Sequence, residues 1–90
     1  MSGSLALMNA EILSEHIWID PARCGGRPCI RGHRIWVSLV LDLLAEGLTP
    51  QQVIEEHYPQ ITPADVRACL VYGSAMSQER YVPVPLEAVA

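Results

Sequence analysis

Four arginines, two cysteines and a histidine crowd into residues 23–34, and there the chain first offers chemistry. In the stretch CGGRPCIRGHRIWV, Cys24 to Val37, Arg27, Arg31 and Arg34 are set among Gly25, Gly26, Pro28 and Gly32. A guanidinium is planar and always charged, and its fork of N–H donors fits a phosphate, a carboxylate or a base edge. Arginines on a glycine-shaped loop can grip phosphates or enter a groove as an arm. Arg27, Arg31, His33 and Arg34 are therefore the candidate DNA contacts of this loop. The competing expectation is a solvated loop whose arginines pair with acidic helices.

Charge is unevenly spread. The chain carries −4 overall, with ten acids against six arginines and no lysine. From Arg23 to Arg34 there are four arginines and no acid, a local +4, so the remaining residues hold two arginines and ten acids, a local −8. A basic loop on an acidic body suits an anionic partner at the loop and a basic partner elsewhere.

Other chemistries fit the same residues less well. Cys24, Cys29 and His33 could each ligate a metal, with His16 a conceivable fourth. Structural zinc sites usually open with cysteines two to four residues apart and continue with a second pair, which is missing here. Cys24 and Cys29 read instead as small apolar thiols in a turn, and no metal is expected. GGRPCIRG lacks the G-K-[ST] ending of a P-loop and opens no helix. Gly25, Gly26 and Gly32 are expected to supply positive φ in turns. Nothing in the sequence orients a cysteine–histidine pair for nucleophilic attack, so neither enzymatic activity nor a cofactor is expected. His57, near a helix end, reads as a complement to the helix dipole.

The elements that must position the loop follow from periodicity. Ninety residues, half of them apolar, suffice for one domain with one modest core. HIWIDP (His16–Pro21) and RIWV (Arg34–Val37) predict two short strands that pair as a hairpin around the loop. From Val37 the period becomes helical: Val37, Val40, Leu41 and Leu44 form one stripe, and Leu39 and Leu43 fall off it, as on a helix that is either central or in contact with another chain. Gly47 is the stop. LTPQQV and ITPADV are two near-identical helix starts, with Thr49 and Thr62 as N-caps and proline at the first helical position. Gln52 completes a capping box, Asp65 is its shorter acidic counterpart, and Leu48/Val53 and Ile61/Val66 have staple spacing.

The last helix is expected to bury Val66, Cys69, Leu70, Gly73 and Met76. It would expose Ala64, Asp65, Arg67, Ala68 and Val71, of which Arg67 is the one good base reader. The order of helices is that of a helix-turn-helix unit. The ending RYVPVPLEAVA cannot be helical through two prolines. It reads as an extended tail whose Tyr81, Val82, Val84 and Leu86, together with Leu39 and Leu43, are candidate partner-binding residues. The expected divisions are an extension over residues 1–15, a folded unit over 16–79 and the tail over 80–90.

The stretches IWIDP, CGGRPCIRGHRIWV and LVLDLLAEGLTPQQVIEEHYPQITPADVRACLVYG, in this order, resemble the bacterial domain-of-unknown-function family 433. The similarity runs from about Ile17 to Met76. Two positions depart from the family's usual pattern: His33 where many members carry Thr, and Trp36 where many carry Pro. The resemblance implies a short N-terminal β-hairpin followed by a homeodomain-like three-helix bundle, mainly α in class. It also implies an antitoxin that neutralises a PIN-like ribonuclease toxin. The helix order and the arginine cluster add binding of its own promoter, and the lone hairpin and the wide Leu39/Leu43 helix face add a homodimer. A stand-alone DNA-binding regulator and a dimeric interaction module without nucleic acid are the alternatives. The odd number of cysteines suits a reducing cytoplasm. MSGSLALMNAEILSEHIW has neither the basic start of a signal peptide nor the length of a membrane span.

Overall fold

The computed structural model describes residues 10–78. In chain order they form helix α1 (residues 10–16), strand β1 (Ile17–Trp18), a single 3₁₀ turn (Cys24–Gly26), strand β2 (Cys29–Ile30), and helices α2 (Val37–Ala45), α3 (Pro50–Glu56) and α4 (Pro63–Gln78). The architecture is mainly helical with one antiparallel two-stranded hairpin.

β1 and β2 pair with Ile17 opposite Ile30 and Trp18 opposite Cys29. The second strand is thus Cys29–Ile30, not the expected Arg34–Val37. Gly32, at φ 82°, turns the chain back directly after Ile30, and the His33 N–H closes the turn onto the Ile30 carbonyl at 3.0 Å. Residues 35–37 therefore meet the far edge of β2 as a short third segment. The Ile30 N–H donates to Ile35 O (2.9 Å), the Val37 N–H to Pro28 O (3.0 Å), and Cys29 bridges Trp36. Two-residue strands cannot stand alone. Ile17, Ile30 and Ile35 are all buried and join this hairpin to the helical core. Each such side chain contributes roughly 1.5–3 kcal/mol by leaving water.

Residues 10–15, read from sequence as part of the N-terminal extension, are helical together with His16, where the sequence predicts the start of the first strand, and Ile12 and Leu13 pack against the core. In α2, Val37 and Val40 are fully buried, while Leu41, Leu43 and Leu44 are half-buried against the same core. Only Leu39 of the off-stripe pair stays largely outside, at 40% exposure. α2 ends as Gly47 predicts: at φ 106° its N–H donates to Leu44 O, and the Leu48 N–H reaches Leu43 O. That pair of bonds satisfies carbonyls the helix itself leaves orphaned.

Both threonine caps form. At α3, Thr49 Oγ1 accepts the Gln52 N–H (3.1 Å) and Gln52 Oε1 accepts the Thr49 N–H (2.8 Å). At α4, Thr62 Oγ1 accepts the Asp65 N–H (3.2 Å) and Asp65 Oδ2 accepts the Thr62 N–H (3.0 Å).

The buried stripe of α4 is rotated from the expected one. Asp65, Val66, Ala68 and Cys69 are buried, whereas Leu70 is 47% and Met76 39% exposed. Asp65 sets this rotation, because its second oxygen takes the ring of His16 at 2.9 Å and so must face inward. Ala68, fully buried, is small enough to fit the helix closely against its neighbours.

Candidate nucleic-acid interface

The arginine loop begins with a turn that Asp20 organises. Its Oδ1 accepts the Ala22 N–H (2.9 Å), its carbonyl accepts the Arg23 N–H (2.9 Å), and its Oδ2 accepts Arg23 Nε–H (3.1 Å). The Ala22 amide and the Arg23 guanidinium hold the Asp20 carboxyl below its usual range. The 3₁₀ turn follows, with Cys24 at φ 52°, the one non-glycine residue at positive φ among those described. Gly25 at 67°, Gly26 at 82° and Gly32 at 82° occupy the left-handed region, as expected of them.

Two bonds across the loop keep Cys24 in a conformation that disfavours a β-carbon. Trp36 Nε1–H donates to its carbonyl (3.0 Å), and Cys24 is joined to Cys29 in a disulfide with Cα atoms 6.5 Å apart. The expectation of two free thiols in the turn is thereby corrected: the doubled-back loop brings both β-carbons to one side, within disulfide reach. Cys69 is buried and separate, its thiol pushed up to about 12 by burial first and by the nearby Asp65 charge second.

The arginines are clamped on the chain's two tryptophans. The guanidinium carbon of Arg23 lies 4.1 Å from the Trp18 ring centre, that of Arg31 5.6 Å from the same ring, and that of Arg27 4.5 Å from the Trp36 ring. Arg31 Nη2–H also donates to Ser14 O (3.2 Å), tying the loop to α1. Stacking engages the guanidinium face and leaves the in-plane N–H donors available. All four arginines of the loop are exposed, and neither of the two ion pairs among the described residues uses Arg27, Arg31 or Arg34.

The other sequence candidates are placed as follows. His33 is half-buried beside the Gly32 turn. Arg67 is exposed but sits on α4, sharing no bond with the loop. Around Arg67 the helix is less open than expected, since Asp65 and Ala68 are buried and Val71 is half-buried. Leu39 is accessible, and Leu43 is half-buried in the core margin. Tyr81, Val82, Val84 and Leu86 lie outside the described residues. Sequence reasoning missed Trp18, Trp36 and Arg23. Their signal is the placement of both tryptophans of the chain at the two ends of its only arginine run.

The arrangement can hold anions by directed N–H donors. The described residues hold no group of three His, Cys, Asp or Glu side chains that could bind a metal. Nor do they include a helix long and apolar enough to cross a membrane. A family profile described as "Protein of unknown function (DUF433)" matches residues 17–73, and the chain belongs to that family. The match spans the hairpin, the arginine loop and the first two turns and more of α4. No curated protein matches the chain, and no solved structure does.

Proposed function

With membership of that family as the premise, we propose that the protein is a dimeric antitoxin. It binds the promoter DNA of its own operon through the arginine loop and neutralises a PIN-like ribonuclease toxin. The observation that carries the DNA half is the clamping of Arg23, Arg27 and Arg31 on Trp18 and Trp36, next to the unpaired Arg34. Pre-ordered guanidinia lose less side-chain entropy when they meet phosphates, and phosphate contacts supply most of the affinity for a duplex. Helices α2, α3 and α4 follow the helix-turn-helix order, with α4 as the element beside the groove. Asp65 keeps its charge but is turned inward onto His16 and the Thr62 amide, away from the exposed Arg67.

The toxin half is supported by the family resemblance, by the acidic body of the chain, and by exposed apolar side chains on the helices, Leu39, Leu70 and Met76. A basic ribonuclease groove complements that charge. No catalytic role is assigned: Cys24 and Cys29 are paired, and the Cys69 thiol is buried and protonated at neutral pH.

Co-expression with the neighbouring reading frame followed by pull-down tests the antitoxin role, and a 1:1 or 2:2 complex is expected. Recovery of the chain alone would count decisively against it. A salt-titrated mobility shift on upstream DNA tests the DNA role. Affinity should fall steeply with salt and weaken further in the double variant Arg31→Ala/Arg34→Ala, whereas a shift unaffected by both would remove the loop from the interface.

A further inference from the structure

Beside the loop lies a cleft of about 260 Å³ lined by Trp18, Ala22, Arg23, Cys24, Gly32 and Arg34. It is smaller than pockets that hold drug-sized molecules, roughly 300–1,000 Å³, so its occupant is a compact group. Two guanidinia and no carboxylate line it, which selects an anion. The indole and Ala22 add an apolar wall, which suits an anion joined to a sugar rather than a fully hydrated ion.

One of the two donors is oriented before any ligand arrives. Arg23 is fixed twice, by stacking on Trp18 at 4.1 Å and by its Nε–H on Asp20 at 3.1 Å. Its terminal N–H groups are left to point elsewhere. Arg34 is exposed and takes part in neither ion pair of the described residues. Arg31, 5.6 Å above the same indole, adds a third positive charge beside the cleft. Asp20 is the nearby acid, and it is already engaged by Arg23 and by the Ala22 amide. Gly32, held at φ 82°, contributes bare backbone to the wall, and the space beside it is open.

We propose that this cleft is a phosphoryl subsite in which Arg23 and Arg34 grip one phosphate from two sides while Trp18 borders its sugar. Its natural occupant is a backbone phosphate of nucleic acid, so the proposal rests on the DNA-binding role above and gives it a location. Arg23, rather than the more obvious Arg27, is then the paired partner of Arg34.

The test is titration of the ¹⁵N-labelled full chain, followed by amide and guanidinium shifts, with inorganic phosphate, a nucleoside 5′-monophosphate and a duplex oligonucleotide. Arg23→Ala and Arg34→Ala are compared with the exposed α3–α4 control Gln60→Ala. The expected result is a saturable response centred on Gly32 and Arg23, tighter for the mononucleotide than for phosphate. It should weaken about tenfold or more in either arginine variant, as loss of a charge-assisted hydrogen bond implies, and be unchanged in Gln60→Ala. Binding of mononucleotide with this dependence but no binding of duplex supports the subsite and removes the DNA role. Duplex binding that ignores Arg23→Ala, with no response to phosphate or mononucleotide, overturns the subsite and leaves the DNA role standing. Silence from all three ligands overturns both.

Discussion

His16 Nδ1 lies 2.9 Å from Asp65 Oδ1, across 49 residues of sequence, and fastens the end of α1 to the first turn of α4. The same carboxylate caps the helix through its other oxygen, accepting the Thr62 N–H. One side chain thus closes a local cap and a long-range contact at once.

Asp65→Ala should therefore destabilise the fold by more than an ordinary cap, about 2–4 kcal/mol, combining a lost cap near 1 kcal/mol with a lost charged hydrogen bond. Urea unfolding checks this through a lower midpoint at an unchanged slope.

The pH dependence follows from the same residue. Burial raises the Asp65 carboxyl, but the Thr62 amide, the His16 ring and the Thr62 side chain together outweigh it, leaving it below 3.8. A carboxyl depressed in the folded state contributes stability that is complete above its unfolded value and is lost as pH falls through the folded one. Wild-type stability should thus decline as pH drops below about 4. In Asp65→Asn that part of the decline should be absent, so the two curves converge in acid. Parallel curves down to the lowest pH would show that Asp65 is not the group responsible.

Reduction of the Cys24–Cys29 bond should lower stability by about 2 kcal/mol, the loop-closure contribution of so short a ring. Thermal unfolding with and without reductant measures it. The double variant Cys24→Ser/Cys29→Ser should match the reduced wild type and show no response to reductant.

Cys69 should resist alkylation. Its thiol is buried and pushed up to about 12, so almost no thiolate is present at neutral pH. After reduction under native conditions, thiol titration should count Cys24 promptly, and the buried Cys29 and Cys69 only on unfolding. Prompt reaction of all three would contradict the packing of α4.

Gly47 sits at φ 106°, where any side chain is strained. Gly47→Ala should cost about 1 kcal/mol, and Thr49→Ala a similar amount through loss of the α3 capping box. The two positions are close in sequence, so a double-mutant cycle would show whether their effects add.

The helix starts were the most legible part of the fold, because Thr-Pro caps and staples are local and nothing distant competes with them. The second strand was not. The run RIWV has strand character, but the Gly32 turn hands the main pairing to Cys29–Ile30, whose sequence alone carries little β signal. The rotation of α4 was equally hidden. A hydrophobic stripe drawn through Leu70 and Met76 ignores an aspartate, and only the contact with His16 makes Asp65 an inward residue. At the loop, the arginine cluster and the glycine turns could be read from residue type. The roles of Trp18 and Trp36 could not, since stacking depends on how the loop doubles back.

That doubling back also fixes what light will report. Both tryptophans of the chain belong to the arginine loop and its flanks, one under Arg23 and Arg31, the other under Arg27 and bonded to Cys24. Tryptophan emission from the intact protein is therefore a local signal. It will follow opening of the loop, reduction of its disulfide and occupation by a ligand. Separation of α3 from α4 must be followed by circular dichroism, and disagreement between the two probes would locate an event in the loop.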